Sequence, residues 1–382
     1  MESELVKRFI LLLIIVFIGY VSKPLWEEPV QQAIPSSVKD SIRSAVDFGK
    51  EYAADNFTLD NLTQQLDSLF KSPDNLPPGS KGTDIETPKL SAPEDHLFSI
   101  HNIELGQSKA KVEQKIGKPK RTSKNEYGVS WAAYHENYHN FIMVAYDKNN
   151  MVRGLFTNQD LIASAKGVKL GSSKQSVRDH LGTPESAIRK GLVNYQINSN
   201  GEYDVFRLDN SFVTVFYDKH ANNTVTAIQI INKDLEQNKD GFYTEPSKSL
   251  REGFEYQLFD LTNATRVKHG LSILKWDDHV SETARNHSLD MAENQYFAHT
   301  NPQGQSPFDR MKEDNISFIT AGENLAYGQF SSIFAHEGLM NSLGHRKNIL
   351  RENYKYLGVG VAFNNESQPY YTEDFYSNSP SL

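Results

Sequence analysis

The sequence predicts an α+β protein with two folded domains behind an N-terminal membrane segment. Three features predict it: a seventeen-residue pattern that occurs at 103–119 and again at 168–184, helical spacing that returns from about residue 250, and two closing runs of strand character. A chain of 382 residues is long enough for two or three domains, and no single core is expected to span it.

Composition narrows the chemistry. The chain is 38% hydrophobic, 23% charged and 11% aromatic, as globular proteins are. A formal charge of -8 leaves no basic excess to displace phosphate counterions, so nucleic acid is not an expected partner. Cysteine is absent, which removes disulfides, thiolate nucleophiles and cysteine-held zinc. Any metal must be held by His, Asp or Glu.

The N-terminus carries Lys7 and Arg8 ahead of an apolar run from Phe9 to Val21. At about 1.5 Å per residue this run covers roughly 20 Å, the length of a signal-peptide core rather than a full bilayer span. No A-x-A-like cleavage site follows, and Leu25 and Trp26 extend the segment toward an interfacial anchor. Residues 1–26 are therefore expected to be a signal-anchor. The remainder would lie outside the cytoplasm, tethered to the membrane, or secreted where the segment is cleaved. The Asn-x-Ser/Thr triplets at Asn56, Asn61 and Asn263 are read as chance.

Residues 27–95 read as a helical stalk and a linker. Ile42/Val46, Phe48/Tyr52 and Leu62/Leu66/Leu69 have helical spacing, and the Pro-, Gly- and Ser-rich stretch from about 72 to 96 breaks it.

The repeats build the next domain, 96–235. Leu105, Gly106, Ser108, Lys109, Val112, Gly117 and Pro119 return as Leu170, Gly171, Ser173, Lys174, Val177, Gly182 and Pro184. Each copy reads as a strand end, a Ser-capped helix and a Gly-x-Pro stop, followed by the runs "FIMVAYDK" (141–148) and "FVTVFYDK" (212–219). One helix-plus-hairpin unit cannot bury its own apolar face, so two should complete one α+β domain. No titratable cluster recurs between the copies, which points to spacing or partner binding rather than catalysis.

After an expected linker at 236–249 comes the domain with the chemistry, 250–382. Phe254, Leu258, Leu261 and Thr265 mark one helix face; Val280, Ala284, His287 and Met291 mark a second. Ser306-Pro307 opens a third helix, and "SSIFAHEGLMNSLG" gives a fourth, expected to stop at Gly344. "YLGVGVAF" (356–363) and "PYYTEDFYS" (369–377) are the two closing strands. Gly358 and Gly360 within the first of these point to close backbone approach.

His336, Glu337 and His345 sit close together in the sequence, yet they do not make a zinc-peptidase helix. That motif needs two histidines four residues apart on one face, whereas here the gap is nine residues.

The residues match a different pattern. "NATRVKHGLSILKWDDHVSETARNHSLDMAENQYFAHTNPQGQSPFDRM", "AGENLAYG", "LMNSLGHRKNIL" and "LGVGVAF" occur in the order of the landmarks of the CAP superfamily. That superfamily comprises cysteine-rich secretory proteins, antigen 5 and pathogenesis-related 1 proteins, and its domain is also called SCP-like. The resemblance covers about residues 250–376, and the repeats resemble the modules that accompany CAP domains in bacterial envelope proteins. It implies an α-β-α sandwich with a cleft lined by two histidines and two glutamates. His299, Glu323 and His345 correspond to three of these; Ser342 stands at the position of the second glutamate. Glu337 is the nearest acid, rotated about 140° around a helix from Ser342.

Two imidazoles with carboxylates can hold a divalent cation, Zn²⁺ or another, with His299 and His345 as ligands. The same carboxylates would favour imidazolium and raise the histidine pKa values. Metal-bound water with Glu323 as base, and His345 beside it, would make a hydrolase of peptide or cell-wall material. The other readings are a binding module for a small-molecule, lipid or peptide ligand in the cleft of His299, Glu323, Glu337 and His345, and a scaffold that meets an envelope protein through 96–235. CAP domains are described mostly as binding or scaffold modules, so the resemblance favours these two readings over the hydrolase. His287 is expected to be a core histidine bonded to backbone, His336 a partly exposed one, and Glu323 has a structural alternative in fixing a loop around Asn324.

Overall fold

The computed structural model describes residues 85–239 and 241–378. The expected anchor and most of the expected stalk lie outside them. Among the described residues no helix is long and apolar enough to cross a membrane.

The two copies of the repeat fold alike. Strand β1 (Phe98–Ile100) leads to helix α1 (Lys109–Ile116), capped by the Ser108 hydroxyl and ended at Gly117. Copy one continues through β2 (Arg121–Lys124), β3 (Ser130–Glu136), β4 (His139–Tyr146) and β5 (Val152–Thr157). The short β6 (Ile162–Ser164) pairs back with β1. Copy two repeats the plan with α2 (Lys174–Leu181) between Ser173 and Gly182, a hairpin of β7 (Ala187–Lys190) and β8 (Val193–Gln196), then β9 (Tyr203–Leu208), β10 (Ser211–Asp218) and β11 (Thr224–Asn232). The turn before each helix places Gly106 and Gly171 at φ 79°, a conformation that side chains disfavour. Each turn is tied by the same bond, Gly106 N–H to the Val152 carbonyl and Gly171 N–H to the Val225 carbonyl, 2.9 Å in both.

The copies merge into one antiparallel sheet ordered β2-β3-β4-β5-β11-β10-β9, joined where β5 meets β11. One face carries Ile142, Val144, Leu155, Val213 and Ile228 against Val112 and Val177 of the two helices. The other face, with Trp131, Met143, Phe156 and Phe216, is covered by the C-terminal domain.

One helix supplies most of that cover over the first repeat, with Phe334 of a later helix packed on Tyr203 and Phe216 of the second. After α3 (Lys233–Gln237), α4 (Lys248–Lys268) runs between this sheet and a second one. Phe254, Leu258 and Leu261 join Trp131 and Phe156 on one side and Leu357, Val359 and Phe375 on the other in one cluster. The second sheet comprises β12 (Lys275–Trp276), β13 (Thr320–Tyr327), β14 (Tyr356–Phe363) and β15 (Pro369–Ser377), ordered β12-β14-β15-β13. Its far face is covered by α5 (Asp278–Asn294) and α6 (Pro307–Glu313); α7 (Ser332–Asn341) and α8 (Leu343–Ile349) complete the domain. Gly358 and Gly360 behave as expected: a Cβ at either would overlap the α5 backbone at Val280–Ser281 or Ala284–Arg285. The result is the α-β-α sandwich within an α+β chain.

Four expectations change. The stretch 236–249 is not a free linker, because Glu236 and Lys239 are buried: Glu236 pairs with Lys190 at 2.7 Å and Lys239 donates to the Phe242 carbonyl at 2.7 Å. The fourth helix breaks at Ser342, and Gly344 lies inside α8. "AGENLAYG" is strand rather than loop, with Glu323 opposite Asp374 in the β13–β15 register. Finally, one hydrophobic cluster takes residues from both the repeat domain and the sandwich, where no single core was expected to span the chain.

The tightest point of that union is Gly253 on α4, where a Cβ would overlap the Lys124 carbonyl on β2. Gly253→Ala is expected to destabilise the whole unit by about 3 kcal/mol, as overpacking against rigid backbone does. Denaturant unfolding read by tryptophan fluorescence should show one transition moved to lower denaturant. An unmoved midpoint would mean that the two layers are not in register as described.

Candidate functional site

Glu323 sits at the centre of β13 with its side chain almost wholly buried, and each carboxylate oxygen is engaged. Oε1 accepts from His299 Nδ1 at 2.7 Å, and Oε2 accepts from Arg310 Nη2 at 2.6 Å. Arg310 is delivered by α6, whose first turn is fixed by a capping box between Ser306 and Asp309 with Pro307 at the first helical position. The same guanidinium donates from Nη1 to the carbonyls of His299 (2.8 Å) and Gln305 (3.1 Å), so it also holds the loop that carries His299.

His287 supports that loop from beneath. It is buried on α5, donates from Nε2 to the Ala298 carbonyl at 3.1 Å, and lies 4.0 Å from Glu323 Oε2. Burial lowers its pKa, and Glu323 opposes the shift. The expectation of a core histidine bonded to backbone holds.

His345 stands on α8, half-buried, and its backbone carbonyl accepts from Asn324 Nδ2 at 3.2 Å. Asn348 ties the same helix to β13 through the Glu323 carbonyl (3.1 Å) and Asn324 Oδ1 (3.0 Å). Burial and then the nearby His299 push the His345 imidazole down to about 4, so it is neutral at pH 7. This reverses the expectation that carboxylates would raise it. The Glu323 carboxylate is turned to His299 and Arg310 instead.

Glu337 is not part of this group. It is buried on the repeat-domain side of α7 among Lys268, Asp218 and Arg346, and burial pushes it up to about 7 against the pull of Lys268. Its place is the domain interface, where Arg346 pairs with Asp218 at 2.9 Å. The 140° rotation from Ser342 turned it away from the cleft. His336 also departs from expectation: it is fully buried, hydrogen-bonded to Thr265 Oγ1 at 2.7 Å, and pushed down to about 3 by burial.

Sequence reasoning missed Arg310 and Asp374. Arg310 follows the Ser-Pro helix start by a fixed interval, a signal that reads as helix surface until Glu323 is placed opposite it. Asp374 lies inside an apolar strand and faces Glu323 across the register; burial and then the Glu323 charge raise it well above the usual carboxylate range.

Among the described residues no group of three His, Asp or Glu side chains is placed to hold a divalent cation. With Glu323 committed to Arg310 and His299, the cleft offers two imidazoles, fewer than the three protein ligands of a catalytic zinc. The set does not fit a catalytic metal centre. What it does provide is a fixed, partly exposed His299 ring beside a neutral His345, able to exchange hydrogen bonds with a polar ligand.

A three-layer sandwich with this His–Glu–His arrangement is the CAP fold. The family model described as "CAP: Cysteine-rich secretory protein family" matches residues 259–375, and "CAP-associated N-terminal" matches 105–242. The uncharacterized membrane protein YlbC of Bacillus subtilis is 30% identical over 80% of this chain and 90% of its own length. The uncharacterized protein YkwD of the same organism is 43% identical over 35% of this chain and 50% of its own. An extracellular SCP-domain protein of Bacillus anthracis shares the fold with a TM-score of 0.62 at 24% identity, over 76% of this chain and 99% of that one. A cysteine-rich secretory protein of Staphylococcus aureus does so at 0.59 and 15%, over 75% and 95%. The chain belongs to the CAP family, as a member with a CAP-associated N-terminal domain.

Three variants test these placements. Glu323→Gln leaves the buried Arg310 guanidinium without its counter-charge and should cost about 3 kcal/mol of stability, which Arg310→Met in the same chain should partly restore. If denaturant curves show no such rescue, the pair is not the centre of the site. His336 titrates near 6.5 unfolded and near about 3 folded, so acid protonates the unfolded chain first. Its stabilisation is complete above the unfolded value and drains as pH falls, by about 2 kcal/mol between pH 7 and 5. His336→Gln should flatten the pH dependence of stability by that amount; an unchanged slope would place His336 in water.

Proposed function

We propose that this protein is a binding module of the bacterial cell envelope, held on the outer side of the membrane by its N-terminal segment, with the His299–Glu323–His345 cleft taking a small or peptide-like ligand. The observation that carries this reading is the state of Glu323. A general base must lie within hydrogen-bond reach of the proton it takes, and the Glu323 side chain is only 1% exposed, its carboxylate packed behind Arg310 and His299. The carboxylate therefore serves to orient the His299 ring, while the two imidazoles face the ligand. The hydrolase reading, with Glu323 as base to a metal-bound water, requires that arrangement to be dismantled. A divalent cation, if held, would have His299 and His345 as its ligands from this chain, and binding of the organic ligand does not depend on it. Placement outside the membrane follows the apolar N-terminal run and the names borne by the Bacillus relatives.

The test is a peptide library added to the full-length chain, once with zinc and once with EDTA, with the ring resonances of His299 and His345 followed by NMR and the peptides followed by mass spectrometry. Ring shifts with intact peptides are expected. Cleavage that disappears in a folded His345→Ala variant would replace binding by hydrolysis, and unmoved rings throughout would remove the cleft from the function.

A further inference from the structure

A cavity of about 150 Å³ lies between the two domains, away from the His299 cleft. Its floor is the second repeat's half of the large sheet, and the internal duplication shows what is unusual there. Superposing "FIMVAYDK" on "FVTVFYDK" matches Met143 with Thr214. The equivalent bridges Ser108–Met151 and Ser173–Thr224 match Phe156 with Gln229. These four residues form one row across the sheet: Met143 opposite Phe156, Phe156 opposite Gln229, Gln229 opposite Thr214.

In copy one the two positions are apolar and filled, since Met143 and Phe156 pack in the core shared with α4. In copy two they are polar and line empty space. Gln229 is only 2% exposed, and its Nε2 donor has no partner. A buried amide without a partner is destabilising, a cost the duplicated fold avoids at the matching site with phenylalanine.

The walls define what would satisfy it. Tyr203, Phe330 and Phe334 give aromatic faces, with Tyr203 and Phe334 edge-to-face at 5.1 Å. Two cations and one carboxylate line the space: Lys190 pairs with Glu236 at 2.7 Å, and Lys239 lies 4.3 Å from the centre of the Phe330 ring. The lining thus carries one excess positive charge. Glu126, buried beside it, is pushed up to about 7 by burial and offsets that charge only in part. A volume of this size admits about one benzene ring.

We propose that this cavity binds a ring-sized aromatic carboxylate, its ring between Tyr203, Phe330 and Phe334 and its carboxylate on the Gln229 amide and the Lys239 ammonium. Because the lining comes from both domains, the ligand would also tighten their union.

Benzoate titrated into the full-length chain, with benzyl alcohol as the neutral probe, tests this by saturation-transfer NMR and thermal melting. Benzoate should saturate and raise the melting midpoint, and benzyl alcohol should bind at least about tenfold more weakly. Thr214→Met with Gln229→Phe writes the first copy's residues into the second; it should melt no lower than wild type and lose benzoate by about tenfold or more. Lys239→Met should bring benzoate down to the level of benzyl alcohol. Absence of a benzoate response in the millimolar range, equal binding of the two probes, or unchanged binding in the filled variant would each overturn the proposal. If the filled variant does not fold, the Lys239→Met comparison decides: an unchanged preference for benzoate overturns it.

Discussion

The structure depends on one helix that has no solvent face to spare. From Gly253 to Arg266 α4 is buried on nearly every side, yet half of that stretch is polar. A helix buried all round is usually apolar all round. Here each polar side chain meets at least one specific partner instead. Glu255 takes both nitrogens of the Arg285 fork, at 2.8 and 2.9 Å. Asp260 accepts from Tyr138 at 2.9 Å, and Thr262 donates to Glu373 at 2.7 Å. Gln257 reaches the Lys124 carbonyl at 2.6 Å, and Arg266 caps the carbonyls of Ile349 and Arg351. Some of these partners belong to the repeat domain and some to the sandwich. The polar residues therefore fix the angle and register at which two sheets share one helix, while the apolar ones supply the burial.

Both the Glu323 cluster and the cavity follow from that placement. α4 fixes β14 and β15 from below and α5 presses on them from above, so β13 at the edge of the same sheet holds Glu323 at a set height. Arg310 and His299 then converge on it from α6 and its preceding loop. On the other side, α4 fills the space over the first repeat. Phe330 and Phe334, near the start of α7, only partly roof the second, which leaves room over Gln229. The seven-stranded sheet is nearly symmetric, and what covers it is not.

Much of this was legible in the sequence. Ser108 and Ser173, Gly117 and Gly182 mark both repeat helices because caps act locally, through bonds to the nearest turn. Gly358 and Gly360 announced close packing because nothing larger fits against the α5 backbone. His299, Glu323 and His345 were singled out through the ordered landmarks of the family, and the structure joins the first two by a direct hydrogen bond. What escaped is non-local. Glu337 looked available since its helix seemed exposed, and only the docking of the repeat domain buries it beside Lys268. His336 misled for the same reason. The stretch 236–249 has a linker's composition, but Glu236 and Lys239 find opposite charges and aromatic rings in tertiary contacts that no periodicity reveals. Arg310 required knowledge of which strand faces α6.

The claim on which the rest stands is that one core spans both domains. Native-state hydrogen exchange on the full-length chain tests it most directly, by comparing amides of β4 and β5 in the repeat domain with those of β14 and β15 in the sandwich. A common core predicts that the slowest amides of both sheets open with the same free energy and lose protection together as denaturant is added. If the repeat-domain strands opened at markedly lower free energy while the sandwich stayed protected, α4 would belong to the sandwich alone, and the shared core would be refuted.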